Sequence, residues 1–208
     1  SELGIDLYGY AVMEAVLPGD WGSWPRAISI ALALPADQMA GVEEGPTPAY
    51  YQAYDAANGH LNRACSQIEA WLVDAGHRAR AFRATVSASE LGDLGAGLCA
   101  PVQHKTVATR AGLGWIGRNA LLVTPQYGPR VRLASVFTDM PLPAAEPITV
   151  GACGSCRRCV EACPAQALTG SAWRAGMPRA QIVDARECEA VATRLLRERV
   201  GVSNAVCG

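Results

Sequence analysis

A chain of 208 residues that is half hydrophobic and only 18% charged can bury a sizeable core, which excludes general disorder. A formal net charge of −1 leaves no electrostatic footprint for nucleic acid or an anionic membrane, and no apolar run approaches membrane-spanning length. The opening residues hold no basic, apolar leader, so the eight cysteines read as thiols of a reducing cytoplasm and not as a disulfide framework.

Residues 27–34, AISIALAL, alternate small residues with Ile28, Ile30, Leu32 and Leu34, and this period of two after Pro25 predicts a strand. A loop rich in Gly, Glu and Pro follows at 41–48. Over residues 50–75, Leu61, Cys65, Ile68 and Leu72 recur at four- and three-residue steps, which predicts a helix that Gly76 ends. RARAFRATV, residues 78–86, reads as a further strand, and HKTVATRA, residues 104–111, as a helix. ALLVT (120–124) and VRLASVFT (131–138) read as two strands joined by PQYGPR, which has hairpin turn chemistry. The expected organisation is an α+β domain over residues 1–145 and, past the Pro-rich joint PLPAAEP, a small cysteine-rich domain over residues 146–208.

AGLGWIGRN, residues 111–119, places Gly112, Gly114 and Gly117 at the G-x-G-x-x-G spacing of a dinucleotide-binding turn. That fingerprint must follow a strand and open a helix, so that pyrophosphate meets the helix N-terminus. Here a helix precedes the glycines and a strand follows, which argues against nucleotide. The glycines are expected either to bring backbone close to a bulky planar ligand or to form a tight helix-to-strand turn.

CGSCRRCVEACP sets Cys153, Cys156, Cys159 and Cys163 at C-x2-C-x2-C-x3-C-P, the ferredoxin-type run. Two-residue gaps let one loop present three thiolates to one cluster, and the Cys before Pro164 serves a second. Zinc is the competing reading, but zinc favours two separated pairs. Cys188 and Cys207 extend the set, and the chain stops at Cys-Gly, as if a second C-x-x-C run were cut short. Cys65 and Cys99 stand apart; they are expected to be structural, with completion of the cluster ligand count as the alternative.

Together, the block from HKTVATRAGLGWIGRN through TDMPL and the run CGSCRRCVEACPAQAL resemble the epoxyqueuosine reductases and the related reductive dehalogenases, over about half the chain. The resemblance implies a nitroreductase-like α+β domain that binds cobalamin, followed by a ferredoxin-like domain with two [4Fe–4S] clusters that pass single electrons to cobalt. The sequence also departs from that pattern. Epoxyqueuosine reductases carry Asp-Ser before the Ala-Pro ahead of the glycine block, and that Asp is the expected proton donor. Here Ala100-Pro101 follows Leu98-Cys99, and Leu donates no proton. The helical-repeat extension of the tRNA-acting members is also missing from the sequence.

On this reading Lys105, Gly112, Gly114, Trp115, Ile116, Gly117, Arg118 and Asn119 are the candidate cofactor-binding residues. Tyr50, Tyr51 and His104 are candidate proton donors, and Cys153, Cys156, Cys159, Cys163, Cys188 and Cys207 are candidate cluster ligands. Each has a structural alternative: Lys105 and Arg118 as solvated surface, Trp115 as core, Asn119 as a turn former, His104 as a structural ring, and the tyrosines as helix packing. The expected function is a cytoplasmic iron–sulfur oxidoreductase that takes electrons from a ferredoxin or flavodoxin and uses a bound corrinoid to reduce a small organic substrate. A cobalamin reductase or chaperone, a cofactor-free electron-transfer partner, and FMN in place of cobalamin remain as alternatives.

Overall fold

A computed structural model describes residues 2–14, 23–85 and 102–202. Cys99, the 98–101 stretch and Cys207 lie outside the described residues. Four antiparallel strands form the central sheet: β1 (Leu7–Val12), β2 (Arg26–Ala33), β3 (Ala79–Phe82) and β6 (Val131–Thr138), in the spatial order β1-β2-β6-β3. All eight residues of β6 are buried, as the strand has a neighbour on each edge and a helix over each face.

Alternation along the strands sorts the core into two layers. Ile28, Ile30, Ala134 and Val136 face one way and pack on Leu61, Ala64, Cys65 and Leu72 of helix α1 (Pro48–Asp74). Ala27, Ala31, Leu133 and Phe137 face the other way and pack on Val107, Ala108 and Ala111, from helix α2 (His104–Arg110) and its C-cap. Helix α1 starts two residues before the sequence suggested, because Thr47 Oγ1 caps the Tyr50 amide at 3.1 Å and Pro48 suits the first turn.

Strand β1 carries too little apolar alternation to be read from sequence, yet it pairs with β2 along its whole length. Its Gly9 is needed there: a Cβ would stand 2.5 Å from the Ala111 carbonyl oxygen. The expected hairpin between 120–124 and 131–138 is corrected. Thr124 and Gly128 close the turn with reciprocal backbone hydrogen bonds of 3.0 and 2.9 Å. The two-residue strand β5 (Leu122–Val123) nevertheless pairs with β4 (Trp115–Ile116), while β6 is taken up by β2 and β3.

The cysteine-rich part joins the same core. Ala167, Ile182 and Val183 are buried with Phe137 and Val107, and Cys163 and Cys188 pack against this cluster. Two helices follow the joint: α3 (Arg158–Glu161) within the cysteine run, and α4 (Ala185–Val200), capped by Asp184. None of the described helices is long and apolar enough to cross a membrane.

Candidate functional site

Helix α2 ends at Ala111, and Gly112 reverses the chain at φ +71°. Gly114 lies against the Val123 carbonyl with no room for a Cβ. A Cβ on Gly117 would stand 2.5 Å from Asn119 Oδ1 and 2.8 Å from Val123 Cγ2. Asn119 Oδ1 accepts from the Leu121 amide at 3.1 Å, and Ala120 adopts φ +61° to complete the turn. All three glycines therefore serve a tight helix-to-strand turn, and the strand–turn–helix order of a dinucleotide site is absent here.

Arg118, in the middle of that turn, reaches across to the cysteine-rich part. Its Nη2 donates to the Gly154 carbonyl at 2.8 Å and its Nη1 to the Gly170 carbonyl. Arg157 also points at the Gly170 carbonyl, at 3.4 Å. Arg118 and Ile116 line a cavity of about 180 Å³ with Gly151, Cys153, Gly154, Ala172 and Trp173. Residues on either side of the cavity are tied together: the Gly151 amide donates to the Trp173 carbonyl at 2.8 Å, and Val150 bridges Arg174. The glycine block and the cysteine run are thus two walls of one site.

Lys105 donates to the Ala120 carbonyl at 2.6 Å and so holds the turn from the side of α2. Trp115 Nε1 and Arg118 Nε are buried without an acceptor among the described residues. Such groups carry a desolvation cost that an acceptor on a bound molecule would relieve.

The first three cysteines of the run lie within each other's electrostatic reach. Burial pushes the Cys159 thiol up, and the Cys153 and Cys156 sulfurs raise it further. The Cys156 amide donates to the Cys153 carbonyl at 3.1 Å, a turn that brings the run back on itself. No three Cys, His, Asp or Glu among the described residues are grouped to hold a single metal ion. A four-iron cluster asks for something different, one thiolate for each iron, so its sulfurs spread around a larger body. The soft thiolate donor set fits such a cluster. Cys65, by contrast, is buried in the α1 layer, and burial followed by the nearby Glu69 carboxylate pushes its thiol up to about 12.

His104 opens α2 beneath the sheet. Its Nε2 lies 2.8 Å from the Arg83 carbonyl and its Nδ1 2.9 Å from Ser135 Oγ. Burial of the ring lowers its pKa to about 4, the Arg83 carbonyl opposes this, and Arg132 adds to the lowering. The ring is therefore neutral at pH 7. Its Nε2–H donates to Arg83 and its Nδ1 accepts from Ser135, so both nitrogens are engaged inside the fold.

Tyr50 and Tyr51 belong to the first turn of α1, on the opposite face of the sheet from the glycine block. They pack with Tyr54, at ring-centroid distances of 6.3 and 6.4 Å. Tyr54 in turn lies 4.1 Å beneath the buried Arg132 guanidinium, whose Nε donates to Asn58 Oδ1 at 3.0 Å. The structure does not bring these tyrosines to the cavity. Tyr127, which no spacing singles out, packs on the core layer shared by the glycine block and the cysteines. Trp173 and Gly170 join the site through a chain reversal that carries no local signature in the sequence.

No protein-family model matches the chain. Among curated proteins it is 34% identical over 154 residues to the epoxyqueuosine reductase of Pseudomonas aeruginosa, which takes in 70% of this chain and 38% of that protein. It is 45% identical over 93 residues to the epoxyqueuosine reductase of Gloeobacter violaceus, 45% of this chain and 26% of that one. It is 47% identical over 66 residues to a tetrachloroethene reductive dehalogenase of Desulfitobacterium hafniense, 30% of this chain and 12% of that one. The matches span well under half the length of each relative.

Two of the solved structures that share the fold illustrate the likeness. One is a reductive dehalogenase whose structure concerns B12-dependent dehalogenation, with a TM-score of 0.66 and 19% identity over 99% of this chain and 28% of that chain. The other is an epoxyqueuosine reductase bound to an epoxyqueuosine-modified tRNA stem loop, with a TM-score of 0.57 and 19% identity over 96% and 58%. The chain is thus similar in sequence to the epoxyqueuosine reductases and reductive dehalogenases and shares their fold.

Proposed function

We propose that this chain is the redox core of an iron–sulfur oxidoreductase. It takes single electrons from a ferredoxin or flavodoxin and directs them through two [4Fe–4S] clusters toward a corrinoid, for the reduction of a small organic substrate. The observation that carries this reading is the Arg118 clamp, which fastens the glycine block to the carbonyls of Gly154 and Gly170 beside Cys153. Cys153, Cys156, Cys159 and Cys163, with Cys188 and Cys207, are the thiolates that would hold the clusters. When bound, clusters and corrinoid would supply the one-electron chemistry that no side chain offers.

The residues of the chain orient and exclude. Gly112, Gly114 and Gly117 bring the turn close, Lys105 and Asn119 hold its shape, and Trp173 closes the cavity wall. At about 180 Å³ the cavity is smaller than the few hundred Å³ usual for small-molecule sites. It does not enclose a corrinoid, so that part of the proposal rests on kinship with a dehalogenase that acts through B12.

One observation favours a second reading. His104 has both nitrogens occupied, and the resemblance sets Leu98 at the position of the expected proton-donating Asp. A site in which none of the described candidates is free to donate a proton suits a cobalamin reductase, for which the corrinoid is itself the substrate. The deciding experiment is an anaerobic titration of the cluster-reconstituted chain with cob(II)alamin, followed by electron paramagnetic resonance. A stoichiometric change to a base-off cobalt signal supports the corrinoid site. Saturation kinetics with a non-corrinoid acceptor would then favour the first reading over the second. An unchanged cobalt signal with intact clusters overturns both.

A further inference from the structure

Charge along the chain is unevenly placed. Between residues 151 and 183 there are four arginines, Arg157, Arg158, Arg174 and Arg179, against one carboxylate, Glu161, which leaves the rest of the chain at a net −4. Arg157, Arg158 and Arg174 are exposed, and none forms an ion pair among the described residues. Cys156, directly before Arg157 in sequence, is exposed, whereas Cys153, Cys159, Cys163 and Cys188 are each partly covered. Val150 is 64% exposed and is bridged to Arg174.

These features share one frame. Arg157 reaches the Gly170 carbonyl, residues 173–175 pair with residues 149–151, and Cys153 follows directly. Cys153 lines the cavity with Ile116 and Arg118. The first cysteine run therefore spans from the glycine block at one end to an arginine-rimmed surface at the other.

We infer that the surface formed by Val150, Cys156, Arg157, Arg158 and Arg174 is the docking site for an acidic protein that carries one electron. This rests on the iron–sulfur reading above. Transfer between carriers makes and breaks no bond: the reduced partner loses one electron and the iron–sulfur centre of this chain gains it. What the surface must supply is close approach, correct facing and rapid departure. A small apolar contact inside a charged rim suits such short-lived pairs. Unpaired arginines steer an acidic partner to the rim and repel a basic one. The exposed Cys156 marks where the edge of the cluster-binding run meets solvent.

The test uses the full chain with clusters reconstituted, and a reduced flavodoxin, an acidic flavin protein, as the probe. Stopped-flow traces follow flavodoxin oxidation across a range of ionic strength. For the native chain the second-order rate is expected to fall steeply with added salt. The Arg158→Glu/Arg174→Glu double variant is expected to be at least about tenfold slower at low salt, with a flattened salt dependence. Dithionite should reduce native chain and variant to the same end-point, which shows that the clusters are intact in both. A native rate that ignores salt, or a variant as fast as the native chain, overturns the docking site. Failure of the native chain to take up iron and sulfide would overturn the iron–sulfur reading itself, and the docking site with it.

Discussion

Gly114 rests against the Val123 carbonyl so closely that no side chain fits between them. The obstacle is backbone, not the end of a flexible side chain, and it belongs to the strand that pairs with β4. Gly114→Ala is therefore expected to destabilise the chain by about 3 kcal/mol, since the β4–β5 hairpin must separate to admit a methyl group. Gly112→Ala faces a conformational penalty at φ +71° and a tight contact, with its Cβ 3.2 Å from Ala145 Cβ, and should lose about 1–2 kcal/mol. Urea unfolding of the two variants measures the difference, and a Gly114→Ala variant no weaker than Gly112→Ala would contradict the packing.

His104 supplies a pH signature. Its folded pKa, about 4, lies below the ordinary value of 6.5, so protons favour the unfolded chain as pH falls. Stability from this ring is complete above about pH 6.5, declines between about 6.5 and 4, and declines no further once the folded ring also protonates. His104→Asn should flatten the acid limb over that window. Unfolding midpoints at pH 7.5, 5.5 and 4.5 test this, and an unchanged slope would mean that another group governs it.

The thiols should separate by reactivity. Cys156 is exposed, whereas Cys65 is 1% exposed with its thiol raised to about 12. Iodoacetamide at pH 8 should label Cys156 of the cluster-free chain early, and Cys65 only after denaturation. Mass spectrometry of timed digests reads the order directly.

Arg118→Met removes both donors from the Gly154 and Gly170 carbonyls. Bonds from a charged donor contribute about 1.5–3 kcal/mol each in favourable settings. The variant should retain the fold, because the two core layers do not depend on Arg118, yet hold iron poorly after reconstitution. Iron per chain after desalting is the readout, with far-ultraviolet circular dichroism as the check on folding. Full iron content would show that the clamp does not order the cysteine run.

Much of this was legible in the residues because it is local. The period of two in 27–34 and the three-and-four steps from Leu61 to Leu72 follow from strand and helix geometry alone. The reversed order of helix, glycines and strand sufficed to set nucleotide aside. The C-x2-C-x2-C-x3-C-P run gathers soft thiolate donors on a short stretch of chain, and that spacing is what motivates the cluster proposal.

Other features depended on partners distant in sequence. Strand β1 becomes a strand through its register with β2, and β5 chose β4 over β6 because both edges of β6 were already taken. Tyr50 and Tyr51 look like plausible donors until the sheet stands between them and the glycine turn. Arg118 looks like surface until a carbonyl 52 residues away meets it. The chain by itself determined its longer helices and strands and the type of its donor groups, which arise from backbone geometry and side-chain type at short range. Only the tertiary structure decided which of those groups share a site, because a long-range contact depends on the packing of the whole core and no local pattern encodes it.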